Sequence, residues 1–212
     1  MKPRKLKMNE AQQRWVREWW RALQPRSEGD DLLPGALSGM GRGDRAQLRR
    51  CGNANELLAH RSTLLLASRL VSLGDGSRFL SDDAASYERI AWAGGVLALI
   101  KEDLRDNKSL AFHLSQQTGD RPKMSEMRFN ALQRSSALHE LFKHWRRAVR
   151  LAGCKVDVVR LADDLLSWMD ERNETAARTS SSVMFHWAYD YYLSTREKSA
   201  AEEPQFNKEI IE

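Results

Sequence analysis

The sequence is poor in residues that staple or break a chain. Its two cysteines, Cys51 and Cys154, stand far apart, so no disulfide framework is expected and a cytoplasmic setting is the default. Five prolines among 212 residues leave room for long helices. Long apolar runs are missing: the longest, residues 90–100, is eleven residues with Gly94 and Gly95 inside it, too short for a bilayer and so a buried helix. No apolar stretch follows the basic Met1-Lys2-Pro3-Arg4-Lys5, so a signal peptide and a membrane partner are not expected.

Signatures of chemistry are lacking as well. His139-Glu140 followed by His144 has one residue too many for zinc-protease spacing, which sets the imidazoles about 140° apart on a helix. His60, His113 and His186 are isolated. Gly39, Gly41 and Gly43 have no strand before them and no Gly-Lys-Ser/Thr after them, so they read as a flexible loop. The pairs Asp82-Asp83 and Asp163-Asp164 read as carboxylates at or near helix starts, where capping and the helix dipole explain them. Neither has the further ligands of a nuclease metal site. The expectation is no metal, no cofactor and no enzymatic activity.

What is present is charge, at 30% of residues, against 42% apolar residues and seven tryptophans. That balance belongs to a folded, highly charged protein. The net +5 is unevenly spread: residues 1–50 hold 12 Lys/Arg against 6 Asp/Glu, and residues 121–160 hold 10 against 3. Residues 51–120 and 161–212 are net acidic. Two separated basic blocks point to a polyanion partner, with a merely solvated surface as the alternative.

Helical periodicity runs nearly throughout, and no alternating strand pattern is convincing. The fold class is all-α: two small helical bundles joined by a short linker, with an N-terminal domain over 1–117, a C-terminal bundle over 124–195 and a flexible polar tail over 196–212. Helices are expected over 9–23, from Asp44 as N-cap, over 55–73, 83–104 and 110–116, over 125–134 and 136–153, from Asp157, and around Trp187.

The stretch 136–152 is the most informative. Leu138, Leu141, Phe142, Trp145, Val149 and Ala152 follow the spacing of a buried stripe. At about 100° per residue, Lys143, Arg146, Arg147 and Arg150 gather on the opposite side. Glu140 is the only acid of that helix and is not expected to pair with them. A rigid row of cations can neutralise successive phosphates of a nucleic-acid backbone, and arginine's planar fork suits phosphate oxygens. Arg128 and Arg134 in the preceding helix, and Arg45, Arg49 and Arg50 near the N-terminus, extend the candidate surface.

Several of these segments, in order, resemble one known family. Gly43-Asp44-Arg45-Ala46-Gln47-Leu48-Arg49-Arg50 resembles the first basic motif of the CasB-type small subunit of the type I-E CRISPR Cascade surveillance complex. Ser125, Arg128-Phe129, Leu132, Arg134 and Trp145-Arg146-Arg147 are similar to its second basic block. Residues 161–168 and the aromatics of 187–192 are similar to its C-terminal helices, and Trp19-Trp20 also fits. The resemblance spans about residues 10–193. This chain has extra sequence around 27–40 and after Ser194. It also carries Asp170 and Glu171 after Trp168, which shifts any basic contact there to Arg172 or Arg178.

The resemblance implies an all-helical, non-catalytic subunit. Its implied partners are the crRNA-binding backbone subunits, the large subunit, a second copy of itself, and the target and non-target DNA strands of an R-loop, with the crRNA met only indirectly. The alternative is a helical interaction subunit whose basic faces dock on acidic proteins.

Overall fold

The computed structural model describes residues 3–26, 33–74, 76–172 and 179–202. The fold is all-α. Among the described residues the helices are α1 (Glu10–Ala22), α2 (Arg42–Arg50), α3 (Ala54–Leu58), α4 (Arg61–Ser72), α5 (Ala84–Leu97), α6 (Leu110–Ser115), α7 (Glu126–Arg134), α8 (Leu138–Leu151), α9 (Val158–Glu171) and α10 (Val183–Glu202). Two-residue strands β1 (Glu102–Asp103) and β4 (Lys155–Val156) pair in parallel. The strands β2 (Gln117–Thr118) and β3 (Arg121–Pro122) form a hairpin.

Capping explains most helix starts. Asn9 and Gln12 form a reciprocal capping box on α1, Asp83 caps α5 and Asp157 caps α9, each satisfying a free backbone N–H of the first turn. Four expectations are corrected. Asp44 is not the N-cap of α2: that position is Gly41, whose N–H donates to the Asp44 carboxylate at 3.0 Å. The helix expected over 55–73 is broken at Ala59–His60 into α3 and α4. The one expected over 83–104 ends at Leu97, because the chain turns into β1 beside β4. Ala137, not Ser136, precedes α8.

The helix of α10 continues through Glu202, past the start of the expected flexible tail at 196, whose last residues, 203–212, lie outside the described ones. Of the expected 27–40 loop, residues 27–32 lie outside the described ones too.

Helix α5 is the hub, packed by α3, α4, α8 and α9. Gly95 permits the closest approach: a Cβ there would lie 2.9 Å from Leu57 Cδ2 and 3.0 Å from Phe142 Cζ. Across the expected linker, where Gly119 turns the β2–β3 hairpin at positive φ, α6 packs on α10 and α8, and α1 packs on α9. A single apolar core runs through both halves of the chain.

The Asp163-Asp164 pair is a further correction. It lies in the middle of α9, fully buried, not at a helix start. The N-terminal segment threads beside it. The buried Arg4 guanidinium pairs with Asp163 and, at 2.8 Å, with Asp164. Arg160 donates to the Arg4 carbonyl at 2.7 Å and pairs with Asp164 at 3.3 Å. The Met8 N–H donates to Asp163 at 2.7 Å, and the Trp187 indole N–H to Asp164 at 2.8 Å. Two buried cations thus face two buried carboxylates, with hydrogen bonds covering the remaining oxygens, the condition under which buried charge is tolerated.

Candidate nucleic-acid interface

Helix α8 is fixed by its apolar side. Leu141, Phe142, Trp145, Ala148 and Val149 are buried. Trp145 meets Trp168 edge-on at 6.0 Å, and Trp168 meets Trp187 at 5.0 Å, so three tryptophans in T-shaped contact join α8, α9 and α10. On the opposite side Lys143, Arg147 and Arg150 are exposed and Arg146 is half-buried. Contrary to expectation, Lys143 is paired: its ammonium donates to Glu140 at 3.1 Å. The Glu140 carboxylate also meets His139 at 3.0 Å, and hydrogen bonding to Lys143 holds its carboxyl below the usual range.

Arg146 brings the two basic blocks together. Its Nη1 donates to the Cys51 carbonyl at 2.7 Å and its Nη2 to the Arg49 carbonyl, both at the end of α2. The guanidinium also lies over the Phe142 ring, 5.0 Å from its centroid. Carbonyls at a helix end lack intrahelical partners, and a cation there meets the negative end of the helix dipole.

Arg45 acts in the same way at the end of another helix. Its Nε donates to the Ala98 carbonyl at 3.0 Å and its Nη2 to Ile100 at 2.7 Å, just past the end of α5. Burial depresses the Arg45 pKa and Arg49 lowers it further. Burial, then Arg150 and Arg49, does the same to Arg146. Arginine stays protonated through such shifts, and the mutual repulsion places Arg45, Arg49, Arg146 and Arg150 in one neighbourhood.

The candidate cations therefore divide by role. Arg45 and Arg146 spend their donors on backbone carbonyls. Arg49, Arg50, Arg147 and Arg150 are exposed and have no ion-pair partner among the described residues. Arg128 and Arg134 are exposed on α7, a helix whose Phe129 stacks on Tyr191 of α10. Arg172 donates to the Ser135 carbonyl at 2.9 Å, and Arg178 lies outside the described residues. One cation was missed in the sequence: exposed Lys101 follows the Ile100 carbonyl that Arg45 grips, at the edge of the patch. No local pattern announces it, since only the tertiary tie brings it there. Among the described residues no group of three or more His, Cys, Asp or Glu is placed to hold a metal ion. No described helix is long and apolar enough to cross a membrane.

The sequence pattern of the CRISPR-associated protein Cse2 family matches residues 44–192, well over half of the chain and including both arginine-bearing helices. The chain belongs to the Cse2 family. Cse2 is the small subunit, CasB, of type I-E Cascade, and the family is a non-catalytic structural subunit of that complex. No curated protein matches the chain, and no solved structure does. The Cse2 match begins within α2 and ends within α10, so α1 and the Arg4 segment that neutralises Asp163 and Asp164 lie outside it.

Proposed function

We propose that this Cse2 chain holds DNA strands of the R-loop against its α2–α8 face during crRNA-guided target recognition in antiviral defence. The observation that carries the reading is the Arg146 bridge. It joins two cation clusters remote in sequence by fastening the end of α2 to α8, with Arg49 and Arg50 exposed on the one helix and Arg147 and Arg150 on the other. A patch of unpaired guanidinium groups on a rigid helical base suits a phosphate backbone and requires no base readout. In this reading the chain works in the cytoplasm and docks on the crRNA-binding backbone subunits, the large subunit and a second copy of itself. It touches both target and displaced strands, meets the crRNA only through its neighbours, needs no cofactor, and contributes no cleavage.

The test is a triple variant, Arg49→Ala with Arg147→Ala and Arg150→Ala, assayed for single-strand binding across a salt series and for R-loop formation in the assembled complex. Thermal stability stays near that of the parent, because all three side chains are exposed. The slope of log affinity against log salt shrinks by about 0.7 per lost phosphate contact, and R-loops form more weakly. Unchanged affinity and unchanged slope overturn the reading.

A further inference from the structure

Outside the α2–α8 patch, the exposed large apolar side chains concentrate on α7 and α10. Met127 is 83% exposed on α7, while Phe185 and Tyr192 are 39% and 38% exposed on α10. At about 100° per residue, Phe185 and Tyr192 lie about 20° apart around α10 and about 10 Å apart along it. They form a two-ring stripe on one side, with half-buried Tyr189 between them. On α7, Met127 and Arg134 share a side in the same way.

The two helices are tied edge to edge. The Gln133 amide donates to the Met184 carbonyl at 3.2 Å. The Tyr192 hydroxyl lies 3.0 Å from Asn130 and 3.3 Å from Glu126, with one proton to donate between them. Phe129 lies flat on Tyr191 at 4.0 Å and meets Tyr192 edge-on at 5.9 Å. The Tyr192 ring is thus held in place while remaining partly exposed. Burial and then Glu126 raise the pKa of its hydroxyl, while Asn130 and then Arg134 lower it, and Arg134 stands one turn beyond Asn130 on α7. Arg128 and Arg134 are exposed, without an ion-pair partner among the described residues.

We propose that this α7–α10 face is a stacking platform for the bases of single-stranded nucleic acid, with Phe185 and Tyr192 as the two rings and Arg134 holding an adjacent phosphate. The inference rests on the strand-holding reading above and adds to it a contact of a different kind. An exposed apolar patch alone would suit a protein partner. Exposed aromatic rings, that of Tyr192 held against α7, beside exposed arginines match the chemistry of a single strand, whose bases offer π-faces and whose backbone offers charge. Stacking tolerates any base, so the platform discriminates single-stranded from duplex nucleic acid without reading sequence.

The experiment measures binding of the full chain to an oligothymidine and to an abasic strand with the same number of phosphates, at several salt concentrations. The parent is expected to favour the base-bearing strand. Phe185→Ala and Tyr192→Ala are each expected to weaken its binding by about 5- to 150-fold, with an unchanged salt slope and no effect on the abasic strand. Far-UV spectra and thermal midpoints confirm that the variants fold, and Tyr192→Phe, which keeps the ring, retains the preference. Equal binding of both strands by the parent overturns the platform while leaving the strand-holding reading intact. Absence of salt-dependent binding to either strand overturns both. Variants that bind both strands as the parent does, yet associate less with a neighbouring subunit, assign the face to protein docking and overturn the platform.

Discussion

The Arg146 guanidinium and the Cys51 carbonyl, 95 positions apart in the chain, meet at 2.7 Å. The contact fastens the end of α2 to the exposed side of α8, so the spacing of the flanking arginines is set by a hydrogen bond and not by mutual attraction, which like charges lack. Phe142 supports the same guanidinium from below.

Arg146→Ala and Arg45→Ala are expected to behave as structural losses. Each removes charge-assisted hydrogen bonds to helix-end carbonyls and costs about 2 kcal/mol of stability, read by urea denaturation. Arg150→Ala leaves stability within about 0.5 kcal/mol and instead flattens the salt dependence of strand binding. A stability loss for Arg150→Ala equal to that of Arg146→Ala contradicts this division of roles.

Arg4→Ala is the substitution expected to damage the fold most. It leaves Asp163 and Asp164 buried with Arg160 as the remaining cation. Removing one partner of such a buried set costs about 3–5 kcal/mol, seen as a drop in the denaturation midpoint. Adding Asp163→Asn to Arg4→Ala removes the uncompensated charge and recovers some of the loss. No recovery means that packing of the N-terminal segment, not charge balance, carries the effect.

Stability is expected to fall as the solution is acidified from pH 7 towards about 5.5. Burial holds the His113 imidazole below its ordinary range near 6.5, Asp106 pulls it the other way, and Lys123 lowers it further. His186 is depressed likewise, by burial and then by Arg4. As pH drops through 6.5 the unfolded chain takes up protons that the folded one resists, so the equilibrium shifts towards unfolding. Thermal midpoints of the parent and of His113→Gln across this range check it, the variant showing the shallower decline. Parallel profiles remove His113 as a cause.

The all-helical class and the amphipathic pattern of α8 were legible because both depend on local periodicity. So were the helix starts at Asn9, Asp83 and Asp157, whose side chains bond within their own first turn. Family membership was legible from ordered motifs over about residues 10–193, and the Cse2 match covers 44–192.

Long-range partners were not legible. Local sequence supplies Arg160 beside Asp163-Asp164, but Arg4, the cation that pairs with both carboxylates, stands 159 positions from Asp163. The end of α5 is set by pairing with residues 155–156, and the break between α3 and α4 carries neither Gly nor Pro. Within the basic patch, periodicity puts Arg146 beside Arg147 and Arg150 as an equal. Only the position of α2 makes it a tie between helices and leaves the other two to solvent.

Synthesis order adds a consequence for the buried charge set. Arg4 is made about 160 residues before Asp163 and Asp164, between which it is seated. At roughly 5–20 residues per second that is a wait of roughly 8 to 30 s. During the interval α1 and α4 can pair, but the leading segment has nowhere to lodge. The Arg4 segment is thus held only once α9 exists, and Trp187 of α10, made later still, completes the same charge set.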